Sequence, residues 1–443
     1  MSGNPARVLR NRDFARLYLA GATSTSGFSL GQVALTWLVF TTTGSAADVA
    51  YLAIASTVAS TLLSLVGGTL ADRQDRRTLM IVSDLSRALG LAILSAYLYL
   101  VGFSLIVVLC AAFVLGAFST TFNPAERALI PEILKADEVA DANGLVQVTT
   151  SVFQSVASAA GGAIVAVIGS VAALGLNSVT FAISAALIAS MILGNVAKSQ
   201  LAAKPTSHRA SFVSDVREGI GYIASEKGLL YLTVSAGFLN LFFAMMTPFL
   251  VVYAAKVLDG GAPVYGALLA AYAIGLGPGA LMVGRTRAVA FAGKVWAVTG
   301  FLEGLLILVL ALSGNLVVAL GASLAIGILS GYGNVTWLST VQLIVPSGMQ
   351  GRYFGVDQLG SFVVVPVGQV LGALVIQTLG IRLDFLTTAV GVSVISLGFL
   401  LSNEMRGLGY VGPDRVARRR SLDGRQSWWK AAVRIKLSAR NSP

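Results

Sequence analysis

Apolar runs of about 20 residues, the length an α-helix needs to cross the hydrocarbon core of a bilayer, recur along nearly the whole chain between charged or turn-rich breaks. They predict spans over 14–40, 47–70, 78–101, 104–122, 143–168 and 171–195, then over 229–255, 263–284, 293–312, 315–342, 354–378 and 383–402. The apolar positions do not alternate in the short segments of a transmembrane barrel, so internally hydrogen-bonded helices are the remaining way to satisfy the backbone in lipid. The expected fold class is an all-α membrane protein with twelve transmembrane helices in two six-helix bundles. Between the halves, Phe212, Val216, Ile220 and Ile223 fall at helical spacing in a polar stretch, which predicts an interfacial helix. The expected division is a first bundle over 1–195, a central loop over 196–228, a second bundle over 229–405 and a basic tail over 406–443.

Composition supports lipid as the solvent. Of the 443 residues, 56% are hydrophobic and only 12% charged, too little polar surface to clothe a soluble protein of this size. The first apolar segment is too long for a signal-peptide core and is read as a retained helix. Cys110 is the only cysteine and His208 the only histidine, so neither a disulfide framework nor a Cys/His metal site is available within one chain. No metal or cofactor is expected.

The net charge of +11 reflects topology rather than nucleic-acid binding, because the bases are scattered over short loops and a tail. Of the 31 lysines and arginines, only Lys256 and Arg382 fall in loops assigned outside. Lys and Arg flanking spans stay preferentially inside, so both termini are expected in the cytoplasm. The tail, with Arg418, Arg419, Arg420, Trp428, Trp429, Lys430, Arg434 and Lys436, suits an anionic inner leaflet or a disordered positive-inside segment equally.

The loop after span two reads Gly68-Thr69-Leu70-Ala71-Asp72-Arg73-Gln74-Asp75-Arg76-Arg77. Gly68 lets a neighbouring helix approach, Asp72 can pair with a base or cap a helix, and Arg73, Arg76 and Arg77 supply the bases, so the element can latch two helix bundles. It resembles the G-x-x-x-D-R-x-G-R-R signature of the major facilitator superfamily, with Asp75 in place of glycine. Asn11–Leu17, Ser83–Ala88, Pro124–Pro131, Val216–Ile223 and Gln350–Phe354 resemble the branch that holds enterobactin exporters and macrolide efflux pumps. Repetition between the halves agrees: 215 residues separate Pro131 from Pro346, and 211 separate Gly68 from Gly279.

The resemblance implies export of an amphipathic small molecule, with proton antiport as the expected drive, by a monomer in the cytoplasmic membrane. Span five reads Ser155-Val156-Ala157-Ser158-Ala159-Ala160-Gly161-Gly162 where family antiporters commonly carry Gly-Pro, and span four lacks the arginine of many proton-coupled exporters. The resemblance therefore supports export more directly than coupling.

An ionisable group inside a span costs about 2.5–3.5 kcal/mol on insertion scales, so each calls for a partner or a role. Asp84 and Arg87 stand one helical turn apart and are read as an ion pair or as a gating and proton-linked pair. Glu303, without a base nearby in sequence, is a coupling candidate or a packed carboxyl. Asp357, after Arg352, is a helix-start carboxylate or gate contact. In the resembling fold, spans one, four, seven and ten line a central cavity. This makes Ser24, Phe28 and Gln32, then Asn240, Phe243 and Thr247, then Tyr332, Thr336, Trp337 and Thr340 the candidate substrate residues, with ordinary helix packing as the alternative for each.

No G-x-x-x-x-G-K-[ST] run occurs, so an ATP-driven pump would need another subunit. Dispersed acids and a lone histidine argue against an enzyme. The reading is a secondary transporter, with a transporter-like lipid flippase or sensor lacking proton coupling as the alternative.

Overall fold

The computed structural model describes residues 8–73, 75–135, 138–191, 212–286 and 288–402. His208 and the basic tail lie outside them. Among the described residues the regular structure is helical: α1 Arg12–Thr43, α2 Ala46–Arg73, α3 Arg76–Leu100, α4 Leu105–Ile133, α5 Val139–Ala189, α6 Phe212–Ser225, α7 Lys227–Met246, α8 Leu250–Lys256, α9 Ala262–Val283, α10 Ala292–Leu312, α11 Leu316–Ile344, α12 Ser347–Leu379 and α13 Ile381–Leu401. Nine helices among these residues are long and apolar enough to cross a membrane. Side chains such as Tyr99, Val167, Val317 and Leu401, each more than 70% exposed, suit a hydrocarbon surround rather than water.

Local chemistry sets the helix ends. The side chain of Asn11 accepts from the amides of Asp13 and Phe14, and that of Asn315 from Val317 and Val318, satisfying donors that the first turn leaves unpaired. Asp75, which replaces the glycine of the resembling signature, caps α3 by accepting from the Thr78 amide at 2.9 Å and its hydroxyl at 2.6 Å.

Helix α5 is continuous except at Gly169, with φ 80° and ψ 161°, which splits it into two arms. Gly380, with φ 88° and ψ 164°, turns α12 into α13 in the same way. Both sit in a backbone region that glycine alone adopts freely, and they are 211 residues apart, the offset already seen between Gly68 and Gly279. The pairing of helices repeats too: α1 with α5, α2 with α4, and α3 with α4 and α5, against α7 with α12 and α13, α9 with α11, and α10 with α11 and α13. Contacts between the halves run chiefly from α9 to α5 and from α12 to α2.

The buried apolar side chains form one shared core at one end of the molecule and two separate cores at the other. The shared core joins Leu35, Phe40 and Val49 of the first half to Phe249, Tyr253 and Tyr265 of the second. There the helices interlock closely: a Cβ on Gly266 would meet the Ser158 carbonyl oxygen and lie 3.1 Å from the Gly162 Cα. Lys256 extends its ammonium over the Phe40 ring at 5.9 Å. At the end carrying the amino terminus, Phe14, Leu17, Met80 and Leu129 form a core within the first half, while Leu229, Val341, Tyr353 and Phe399 form another within the second.

The predicted interfacial helix is α6. Its Glu218 pairs with Arg352 of α12 at 3.1 Å, and Gly219 lies against the Arg352 backbone and Val356, so α6 packs against the second half.

Candidate functional site

The first half encloses a cluster of ionisable groups where α1, α3, α4 and the second arm of α5 meet. Asp84 and Arg87 point inward from α3 and form the ion pair expected from their spacing, with the carboxylate fully buried and the guanidinium side chain 5% exposed. Ser24 of α1 ties into the pair, donating to Asp84 Oδ1 at 3.3 Å while its oxygen stands 3.2 Å from Arg87 Nη2. Aromatic faces complete the seat: the guanidinium carbon lies 4.4 Å from the Phe181 ring centroid and 5.2 Å from that of Phe122, a desolvated cation–π arrangement. Asp84 Oδ2 and Arg87 Nε have no hydrogen-bond partner.

Glu126, four residues after Phe122 on α4, adds a second buried carboxyl. Its carboxyl group fills the space beside Gly21, where any side chain would collide with it, and it interacts electrostatically with Asp84 and with the exposed Arg127. Asp84 is thus paired with a buried guanidinium, while Glu126 has no buried counter-charge of its own among the described residues.

Beside the cluster lies a cavity of about 220 Å³. Phe28 and Gln32 of α1, Arg87 of α3 and Asn177 and Phe181 of α5 line it, with hydroxyls from α2 and α4 on the far wall. Its rim touches the second half through one hydrogen bond, from Gln369 Nε2 of α12 to Thr57 Oγ1 at 3.2 Å.

The remaining predicted residues are dispersed. Glu303 is buried between α10 and α11, where Ser330 donates to its Oε1 at 2.6 Å, a neutral partner in place of the missing base. Asp357 is not a first-turn carboxylate of α12: it lies deeper in that helix, buried with Oδ1 unpartnered. The hydroxyl row of α11 faces packed neighbours rather than open space. Thr336 and Thr340 are fully buried and bond back to Tyr332 and Thr336 carbonyls at 2.7 Å, as β-hydroxyls in helices do. Tyr332 meets Thr286 at 2.9 Å, and Trp337 packs edge-on against Phe354. On α7, Asn240 and Phe243 are half-buried, and Thr247 bonds back to the Phe243 carbonyl where the helix narrows to a 3-10 turn at Pro248.

Of the predicted latch, Arg76 pairs with Glu132 and donates to the Ala128 carbonyl at 2.6 Å, while Arg77 binds the carbonyls of Ile188 and Ala189 at the carboxyl end of α5, where the helix dipole favours a cation. These contacts hold the first half together. The side chains of Gly68, Asp72 and Arg73 lie outside the described residues.

Glu126, Asn177 and Asp384 are absent from the sequence-derived candidates. The first two belong to the cluster and cavity. Asp384, on α13, is buried with neither carboxylate oxygen hydrogen-bonded, away from both.

A transmembrane secretion effector family model matches residues 4–406. The chain belongs to that family of membrane transporters. The uncharacterized MFS-type transporter YkuC of Bacillus subtilis (strain 168) is 29% identical over 88% of this chain and 91% of its own length. The multidrug efflux pump Tap of Mycobacterium tuberculosis (strain ATCC 25618 / H37Rv) is 25% identical over 86% and 91%. Among solved structures, the nucleoside transporter NupG superimposes with a TM-score of 0.70 at 12% identity, over 88% of this chain and 98% of that one. A bacterial homolog of the human lysosomal transporter Spinster, inward-facing and unoccupied, gives 0.63 at 13% identity, over 90% and 98%. These likenesses establish the transporter fold.

Proposed function

We propose that this chain is a secondary transporter that exports a small amphipathic molecule by alternating access, driven by protons moving the opposite way. The observation that carries the reading is the buried Asp84–Arg87–Glu126 cluster beside a cavity. One guanidinium offsets one carboxylate, and the second carboxyl is the site at which a proton is taken up or released. Efflux by the relative Tap supports the outward direction, as does the resemblance of the sequence to exporters.

Twelve spans are reached if the nine apolar helices are supplemented by dividing α5 at Gly169 and by counting α1 and also α12, whose apolar stretch runs over Val363–Leu379. The amino-terminal end, with its bases, is assigned to the cytoplasm. The two separate cores at that end and the shared core at the other describe a state open to the cytoplasm. Rocking of the halves would exchange these arrangements around the cavity, and Asp72 would latch the cytoplasmic end in the opposite state.

Uptake of a hydrophobic drug panel into inside-out vesicles tests this. A pH gradient, acidic inside, should drive accumulation. Asp84→Asn and Glu126→Gln should each lower it at least tenfold, and Asp72→Asn should slow it, whereas Glu303→Gln, whose carboxyl is held by the Ser330 hydroxyl away from the cluster, should retain it. Accumulation indifferent to the gradient in all variants would remove proton coupling and leave a flippase or sensor.

A further inference from the structure

We infer that the cavity in the first half binds the hydrogen-bond-accepting end of a flat aromatic ligand, a carbonyl or carboxylate oxygen on a ring. The inference rests on the transporter reading for its purpose but not for its test.

The wall decides the chemistry. Asp84 is fully buried and takes no part in the lining, whereas Arg87 does. The ion pair therefore turns its positive end toward the space, at a guanidinium side chain only 5% exposed. Asn177 lies close by and is also buried. Its Oδ1 accepts from the Thr180 hydroxyl at 3.0 Å, which orients the amide and leaves its NH2 group for a ligand. A guanidinium and a side-chain amide lining one space are donor groups that a carbonyl or carboxylate oxygen matches. An ammonium ligand would bring donors to donors.

Size and aromatic content add the second requirement. A space of about 220 Å³ is smaller than the roughly 300–1,000 Å³ of sites that enclose drug-sized molecules. It holds one or two fused rings, and the remainder of a larger ligand has to leave past Phe28 and Gln32, both exposed on α1. Phe28 and Phe181 supply faces for a flat ring. The hydroxyls of Ser56 and Ser119 donate to the Leu52 and Gly116 carbonyls of their own helix, so toward the cavity they offer lone pairs. A ligand polar hydrogen, such as that of an amide, can use them.

The rim connects binding to the rest of the molecule. Thr57 lines the cavity and receives Gln369 of the second half, so a ring seated there presses on a contact between the halves.

Fluorescent naphthalenes of equal size separate the possibilities: 1-naphthamide, 1-naphthoate and 1-naphthylmethylamine, titrated into the purified full chain in detergent. The amide and the acid should bind at least tenfold more tightly than the amine, and Asn177→Leu should weaken the amide at least tenfold with an unchanged melting temperature. Gln32→Leu, at the exposed mouth, gives a second variant that spares the buried core and should weaken the amide severalfold. Equal or tighter binding of the amine, no binding of the amide, or amide affinity unaltered in both variants would overturn the inference. Each result is read in the absence of transport, so failure of proton-driven export in vesicles leaves it standing and its own failure leaves export standing.

Discussion

Arg87→Ala should destabilise the protein by about 3–5 kcal/mol, the cost of leaving a buried carboxylate without its counter-charge, and lower its melting temperature in detergent. Two contributions converge on that residue. The guanidinium neutralises Asp84 in a site that excludes solvent, and its face fills the space between the Phe122 and Phe181 rings. Alanine removes the charge and opens a void at once. The double variant Asp84→Leu/Arg87→Met removes both charges and keeps most of the volume, so its melting temperature should return close to wild type, as apolar replacement of a buried pair is commonly neutral or stabilising. Transport in that variant should nonetheless stay at background, because the ion pair beside which Glu126 exchanges its proton is gone. Thermal unfolding and vesicle uptake of the three proteins check both halves of the statement. A single variant that melts with wild type would show that the pair carries no structural burden.

Gly266→Val should reduce transport at least tenfold while leaving the folded protein intact. Position 266 faces the backbone of α5, and even a methyl there meets the Ser158 carbonyl and the Gly162 Cα. Backbone does not yield as a flexible side chain does, so the cost falls on the approach of the halves, at about 1–3 kcal/mol for overpacking a tight contact. Every 1.4 kcal/mol shifts a two-state population tenfold. The closed arrangement at this end should lose occupancy, and a cysteine at Ala262, itself buried, should react faster with a membrane-impermeant maleimide once the exposed Cys110 is replaced by serine. Equal labelling of position 262 with and without the Gly266 substitution would contradict the close approach of α9 and α5.

Much of this architecture was legible in hydropathy, because a helix in lipid must be both long and apolar. The observed ends of α3, α9, α10 and α13 lie within a few residues of the predicted spans. The fourth span is the informative exception. The apolar run ends near position 122, but α4 continues through Pro124 and Pro131 to Ile133, since neighbouring helices can satisfy the backbone groups that proline frees. That extension is what carries Glu126 into the buried cluster, on the same helical face as Phe122 and Leu129. Taken as a loop residue, it had no reason to be a candidate. The spacing of Phe122, Ala125 and Leu129 was the available signal.

The candidate site was legible only in part. Asp84 and Arg87 pair as their spacing suggested; Ser24, expected among the substrate residues, instead bonds to that pair, and Phe28 and Gln32 line the cavity in the first half. Thr336 and Thr340 did not, because a four-residue hydroxyl spacing identifies a face without saying what that face meets, and α11 turns it into the second half. Asn177 was missed for a related reason. Its role depends on how closely α1 approaches α5, and that approach is permitted by Gly31, where an added Cβ would lie 2.6 Å from Asn177 Nδ2.

The central claim is that the two ends of the molecule open reciprocally under control of the carboxyls in the first half. It is tested most directly by paired spin-label distances measured in one Cys110→Ser background, between positions 42 and 314 at the end with the shared core and between positions 127 and 224 at the other. Passing from alkaline to acidic pH should lengthen one distance and shorten the other, and the response should vanish in Asp84→Asn/Glu126→Gln. Distances that move together, or that respond to pH unchanged in the double variant, would contradict it.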